Sequence, residues 1–321
     1  MAIRYALAQK GQLSYGIESV PYTKEANPNQ YFGYITDDVD LPNGQNPATP
    51  LAPGGTQRRG PHVWSPDEKE YPLSVPIKIY DHNIPLEVVF GTKAITDVEN
   101  LSLVKVADKY TFTESPRLPT MTVQHANDEL QLVEWFIGAK ASLALSFSKG
   151  EFLTGTLDIL AAAYDYVEST PAPSIVIPHA KTPFRMTHLG LVTVGAKTVA
   201  TIKSGDFGLD NGLESQHHGN GRDPYSISEG VGAEKYDIKF IMNIVDLVLF
   251  KRAQENDIPV LVTFPFIRST VLDGTVDDGL NIIWEDCRIL KANLPNNNEG
   301  VIESEVILGP RNSKIEIITP V

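Results

Sequence analysis

Apolar and polar positions alternate along much of this chain. Leu143, Leu145 and Phe147 alternate with Ser142, Ala144, Ser146 and Ser148, the period-two signature of a strand with one buried face. Lys149-Gly150 supplies a turn, and Leu153, Leu157 and Ile159 line one face of a returning strand, so this stretch predicts a β-hairpin. Residues 191–194 and 197–200, separated by Gly195-Ala196, predict a second hairpin. Tyr236, Ile238, Phe240 and Met242 form another one-sided strand, and Val260, Val262, Phe264 and Phe266 repeat the pattern. Ile302, Val306 and Leu308 stand against Glu303 and Glu305, and Ile315 and Ile317 close the series.

One segment reads as helix. Asn243 or Asp246 can cap a helix that ends near Asn256, with Ile244, Leu247 and Val248 on one face and Pro259 beyond the end. Many short strands and one short helix predict an all-β-dominated sandwich or barrel with a short flanking α-helix. The absence of β–α alternation argues against a doubly wound nucleotide-binding sheet.

Residues 1–70 predict an N-terminal arm with a long loop. Between Pro42 and Pro66, ten of twenty-five residues are Pro or Gly, which removes donors and raises the entropy cost of regular ladders. An assembly arm and a mobile linker both fit that composition. Residues 71–321 form the sandwich. Residues 168–184, with Pro171, Pro173, Pro178 and Pro183, read either as a crossover within it or as a linker. The two halves show no convincing sequence repeat, and the pattern favours a single sandwich built from both.

Charge narrows the function. Of 321 residues, 27 are Lys or Arg and 40 are Asp or Glu, a net charge of −13. Residues 185–321 carry 13 basic and 19 acidic side chains, net −6, which leaves −7 for residues 1–184. A protein that grips nucleic acid needs clustered cations, and this chain has no such cluster. The lone Cys287 excludes an intramolecular disulfide framework. Residues 1–10 lack the sustained apolar run of a secretory signal, and Phe240 to Phe250 is too short to span a membrane. The protein is expected to fold in a cytoplasm.

Catalytic templates find little purchase. His217-His218 lie in a Gly-rich loop, where sequence neighbours supply convergent metal ligands poorly. Asp206, Asp210 and Asn211 before Gly212, and Asp273, Asp277 and Asp278 before Gly279, lack the full alternating pattern of a calcium loop and read as turn chemistry. There is no Gly-x-Ser-x-Gly elbow or phosphate-binding loop, and Gly230-Val231-Gly232 lacks the third glycine of a dinucleotide fingerprint. No cofactor, metal site or catalytic group is expected. An enzyme is not the reading.

Six stretches carry a resemblance. Residues 199–214 read as a strand followed by Asn211-Gly212-Leu213. The loop Gly221-Arg222-Asp223-Pro224 runs on through Ile227 to Gly230, and the strand 234–243 follows. In the first half, Arg117-Leu118-Pro119-Thr120, the step Gly138-Ala139-Lys140 and the Lys149-Gly150 hairpin complete the series. Over roughly residues 85–310 this series resembles the tail tube proteins of tailed bacteriophages and archaeal tailed viruses.

The resemblance implies a structural virion protein. Family members are β-sandwiches in which a long hairpin from each subunit joins those of its ring neighbours, usually in sixes, into a continuous β-barrel. Hexameric rings stack into a tail tube around the tape-measure protein, and viral DNA later passes through on ejection. The implied partners are further copies of the chain, the tape-measure protein, baseplate and tail-terminator proteins, and in contractile tails a sheath protein; no membrane is implied. Assembly in the host cytoplasm and residence in the virion tail follow. A tube-like baseplate or hub protein is the alternative, and a β-sandwich carbohydrate-binding or adhesin module is another. Trp64, Trp135 and Trp284 are too scattered to favour the module. Asn211, Gly212, Arg222, Asp223, Pro224 and Gly230 are candidate assembly-loop residues. Glu303 and Glu305 are candidate lumen-facing acids, since an acidic bore repels phosphate and lets DNA slide.

Overall fold

A computed structural model of the chain describes residues 11–32, 69–82, 84–100, 102–127, 131–168, 182–195, 197–199, 202–218, 223–230, 235–243, 259–270, 277–292 and 303–320. Residues 244–256 of the expected helix, residues 33–68 of the expected arm and loop, and most of the 168–184 connection lie outside the described residues, while Asn243 ends a strand.

The first half runs β1 (Gly11–Ile17), β2 (Gln30–Tyr31), β3 (Tyr71–Lys78), the short helix α1 (Leu86–Phe90), β4 (Gly91–Glu99), β5 (Lys105–Glu114), β6 (Met121–Asn127), β7 (Leu132–Ser148), β8 (Thr154–Ala161) and β9 (Ala163–Glu168). The second half continues with β10 (Val192–Val194), β11 (Lys197–Val199), β12 (Ile202–Leu209), β13 (Glu214–Gln216), β14 (Ser226–Ser228), β15 (Tyr236–Asn243), β16 (Val260–Thr270), β17 (Asp277–Ala292), β18 (Glu303–Gly309) and β19 (Asn312–Pro320). The fold is all-β dominated, as the alternation predicts. Both expected hairpins form: Ser146 pairs with Thr154 across the Lys149-Gly150 turn, and Val194 pairs with Lys197 across Gly195.

Seventeen of the described strands belong to one continuous sheet, folded into layers because β7 and β17 each run from one layer into the next. The first layer orders as β3-β8-β7-β12-β15-β18-β17 and the second as β4-β5-β19-β17-β16-β10-β11. These two layers face each other across the core, where Phe207, Phe240, Phe264 and Trp284 meet with ring centroids 4.9 to 5.6 Å apart. Each of these buried rings contributes roughly 1.5–3 kcal/mol by leaving water.

Gly11 to Phe32, part of the expected arm, is packed against the body of the fold. Strand β1 pairs with β6 along its whole length, and Leu13, Tyr15 and Phe32 are buried in the common core. The one α-helix among the described residues, α1, is nearly all apolar and buries Leu86, Val88, Val89 and Phe90. Its five residues are too few for a helical period to register in the sequence.

The strand pairings also repeat between the halves, which the amino-acid sequence did not suggest. In the first half β1 pairs with β2 and β6, β7 pairs with β6, β8 and β9, and β3 pairs with β8. In the second half β10 pairs with β11 and β16, β17 pairs with β16, β18 and β19, and β15 pairs with β18.

Candidate assembly surfaces

The first layer has one apolar face and one polar face, as period two requires. Its buried face carries Leu73, Val75, Leu143, Leu145, Phe207 and Phe240 among others. Its outer face is built from cross-strand rows of small and charged side chains. One row runs Lys78, Thr154, Ser146, Asp206, Lys239, Ile307 and Lys291; the next runs Pro76, Thr156, Ala144, Gly208 and Asp237. A further row places Ser148, Ser204, Ile241 and Glu305 side by side. Asp158, Asp206, Asp210, Asp237 and Glu305 are all exposed on this face. Lys239 pairs with Asp237 at 3.1 Å, and Lys291 pairs with Glu305 at 3.0 Å. Glu303 precedes Glu305 by two positions in β18, opposite Asn243, but its side chain lies outside the described residues.

The expected assembly loop is a two-stranded ribbon, β13 on β14, tied firmly to the subunit's own body. Asn211 is buried: its side-chain amide donates to the carbonyls of Val89 and Ala141 at 2.9 and 2.7 Å, and its own carbonyl accepts from the Gly230 amide at 2.8 Å. The Gly212 amide donates to Asp210 Oδ1 at 2.9 Å, an Asx turn that fixes entry to the ribbon. On the return side, Lys140 donates to the Ile227 carbonyl at 2.9 Å and to the Glu229 carboxylate, which also accepts from the Leu118 amide at 3.2 and 3.3 Å. The Tyr22 hydroxyl accepts from the Ile227 amide at 3.1 Å.

The remaining loop residues divide between anchor and surface. Asp223 accepts from the Tyr71 hydroxyl at 2.6 Å and pairs with Lys69 at 3.2 Å. Pro224 is buried, and Gly230 is exposed with φ +77°. Arg222 lies outside the described residues. His218 stacks on the half-exposed Tyr225 with centroids 3.9 Å apart. Among the described residues no three His, Cys, Asp or Glu side chains converge as a metal site.

Three features escape sequence reasoning. The first is a buried carboxylate, Glu18, which accepts from the hydroxyls of Thr120 and Thr122 at 2.6 and 2.8 Å and from the amides of Gly138 and Tyr22 at 2.8 Å each. It fastens the chain after β1 to the Gly138-Ala139-Lys140 step. Gly138 has φ +67°, and an added Cβ would lie 2.4 Å from the Tyr22 ring, so only glycine fits.

The second is Glu114 at the end of β5. Burial works to raise this carboxyl, but hydrogen bonds from Lys235, Tyr236 and Ser313 outweigh it and hold the group below the ordinary carboxylate range. Glu114 thereby joins β5 to β15 and β19.

The third is the β4–β5 hairpin. Strand β4 is exposed on both faces over most of its length and has β5 as its only strand partner among the described residues. The Asn100 side chain closes the turn by accepting from the amides of Ser102 and Val104, and Ile95 and Leu103 are 56% and 80% exposed. Apolar side chains on a long open edge invite another chain.

A family model described as Phage tail tube protein matches residues 8–243. No curated protein matches the chain.

Proposed function

The chain belongs to the phage tail tube protein family, and from that premise we propose that it polymerises as stacked closed rings into the hollow tube that carries viral DNA to the host. Membership makes the chain a structural component of a viral tail. The ring, with six tube-domain positions, and the bore through it are the finer reading.

The observation that carries this reading is the one-sided first layer. Its buried face is apolar, and its outer face combines Ser, Thr, Ala and Gly with exposed Asp158, Asp206, Asp210, Asp237 and Glu305, which outnumber the lysines there, Lys78, Lys239 and Lys291, the last two paired with Asp237 and Glu305. Small side chains leave a smooth surface, and carboxylates repel phosphate, so a DNA duplex meets few groups that hold it. Closing such sheets edge to edge also removes the open edges that otherwise drive aggregation. A head-to-tail lateral contact closes into a ring, while stacking leaves the axis open for growth.

In this arrangement the β13–β14 ribbon is held ready by Lys140, Tyr22, Asn211 and Asp223 and presents Tyr225 and His218 to a neighbour. The exposed β4–β5 hairpin reaches a second subunit. The tape-measure protein fills the bore during assembly, and baseplate and terminator proteins close the ends. Negative-stain microscopy of the purified protein tests the proposal: rings or hollow tubes of uniform width are expected. A protein that remains monomeric at high concentration and binds glycans overturns it.

A further inference from the structure

The repeat of strand pairings extends to details that pairing alone does not require. In β6–β7, Met121 faces Ala139 and the register then slips so that Val123 faces Phe136; in β16–β17, Val260 faces Cys287 and slips so that Val262 faces Trp284. Inside both slips sits a residue with positive φ, Gly138 at +67° and Asp286 at +48°. Beyond them Lys140 faces Leu160 and Arg288 faces Gly309. The chain then reverses identically, with the Ala162 amide donating to the Ile137 carbonyl at 3.0 Å and the Arg311 amide to the Glu285 carbonyl at 3.2 Å. A bulge of this kind is a specific feature rather than a generic property of sheets.

The amino-acid sequence carries faint traces of the same relation. Residues 38–44, Asp-Val-Asp-Leu-Pro-Asn-Gly, share four of seven positions with 206–212, Asp-Phe-Gly-Leu-Asp-Asn-Gly. Tyr71, which begins β3, corresponds to Tyr236, which begins β15, when Leu73 is matched to Ile238 through their partners Ile159 and Leu308. The family match ends at Asn243, before β16–β19, so the repeat extends the tube fold through the rest of the chain.

We infer that this chain is two tube domains in one polypeptide, each filling one position of the ring, so that a ring contains half as many chains as positions. The inference rests on the tube reading above, and in a ring of six positions it means three chains. Within the chain the two domains meet through β12, which pairs on one side with β7 and on the other with β15. The counterparts of these two strands are β17 and β3, the outer edges of the first layer, and among the described residues no further strand pairs with either edge. Pro72 and Pro76 suit β3 to an edge, and the seam there has fewer backbone donors than the one around β12.

A second edge of the first half is open. The outer edge of β19 is covered by β5 of the first half. Its counterpart β9 pairs only with β7 among the described residues and leaves Tyr164, Tyr166 and Val167 exposed. The second half has no described counterpart of β5, so it is the seam between β17 and β3 of an adjacent chain that brings another copy beside this open edge. The occupant is therefore a second copy, placed head to tail.

The test is a ratio measured on tubes assembled from the full chain. Mass per length from unstained scanning transmission microscopy, combined with the axial repeat, gives chains per ring; end-on views give the rotational order of the wall. The expected result is a rotational order twice the number of chains, with three chains in a six-fold wall. Equal numbers overturn the two-domain inference while leaving the tube reading intact. If no tube or ring forms, the tube reading itself fails, and the two failures are separate.

Discussion

Replacing Lys140 with methionine keeps the length of the side chain and removes the ammonium that holds the β13–β14 ribbon. The Lys140 side chain is 8% exposed, and its two acceptors are the Ile227 carbonyl and the Glu229 carboxylate. Breaking one side of a fully buried ion pair costs about 3–5 kcal/mol, because the remaining charge loses its partner. Glu229 is 21% exposed and retains the Leu118 amide, so part of that cost is relieved by water and by the surviving bond. The expected loss is about 2–3 kcal/mol in urea unfolding, read as a lower midpoint at unchanged m-value. Glu229→Gln keeps an acceptor and loses less, and the two changes together lose less than their sum. Hydrogen exchange adds the local readout: the Ile227 and Gly230 amides, bonded to Tyr22 and Asn211, exchange faster in Lys140→Met. A loss under about 0.5 kcal/mol with unchanged exchange at Ile227 refutes the reasoning, since a surface substitution does no more than that.

Other expectations follow from separate parts of the molecule. Phe264→Ala removes the ring on which Phe207, Phe240 and Trp284 converge and is expected to cost about 3–5 kcal/mol in urea unfolding. Glu114 and Asp81 are both held below the ordinary carboxylate range against the effect of burial, Glu114 by Lys235, Tyr236 and Ser313 and Asp81 by His82 and Thr319. Their contribution is present above the unfolded carboxyl pKa, about 4, and is lost as pH falls through the lower folded values, so the urea midpoint drops between pH 5 and pH 2. Glu114→Gln flattens that drop. Ile95→Lys with Leu103→Asp leaves monomer stability within about 0.5 kcal/mol, because both side chains are exposed, yet abolishes tube formation seen by microscopy. Asp158→Lys with Asp206→Lys permits tubes but makes them retain DNA in a co-sedimentation assay at low salt, with release as salt rises.

Strands were legible wherever one face meets the core. Leu143, Leu145 and Phe147 announce β7 because every second side chain must be apolar, and Lys149-Gly150 marks the turn because Gly150 takes φ +86°. The loop residues were legible as a pattern but not in their contacts. Asn211 reads as a turn residue, while its amide lies buried between Val89 and Ala141, 122 and 70 residues away in sequence. Glu18 gave no signal, since its partners Thr120, Thr122 and Gly138 lie more than a hundred residues downstream.

The internal repeat was hidden for a related reason. A strand needs only apolar side chains facing inward, so Phe136 and Trp284, or Ala139 and Cys287, fill equivalent positions without resembling each other. Unequal insertions deepen the disguise. The first half carries the β4–β5 hairpin between β3 and β6, and the second carries the β13–β14 ribbon between β12 and β15. Backbone pairing and the shared bulge preserve what the side chains do not.

The polar face of the first layer is the surface proposed to line the bore. A cryo-electron microscopy map of assembled tubes at side-chain resolution tests it most directly. Asp158, Asp206, Asp237 and Glu305 are expected to project into the lumen, with the Phe207–Phe264–Trp284 core behind them. The same carboxylates on the outer wall of the tube, or packed between rings, contradict the account.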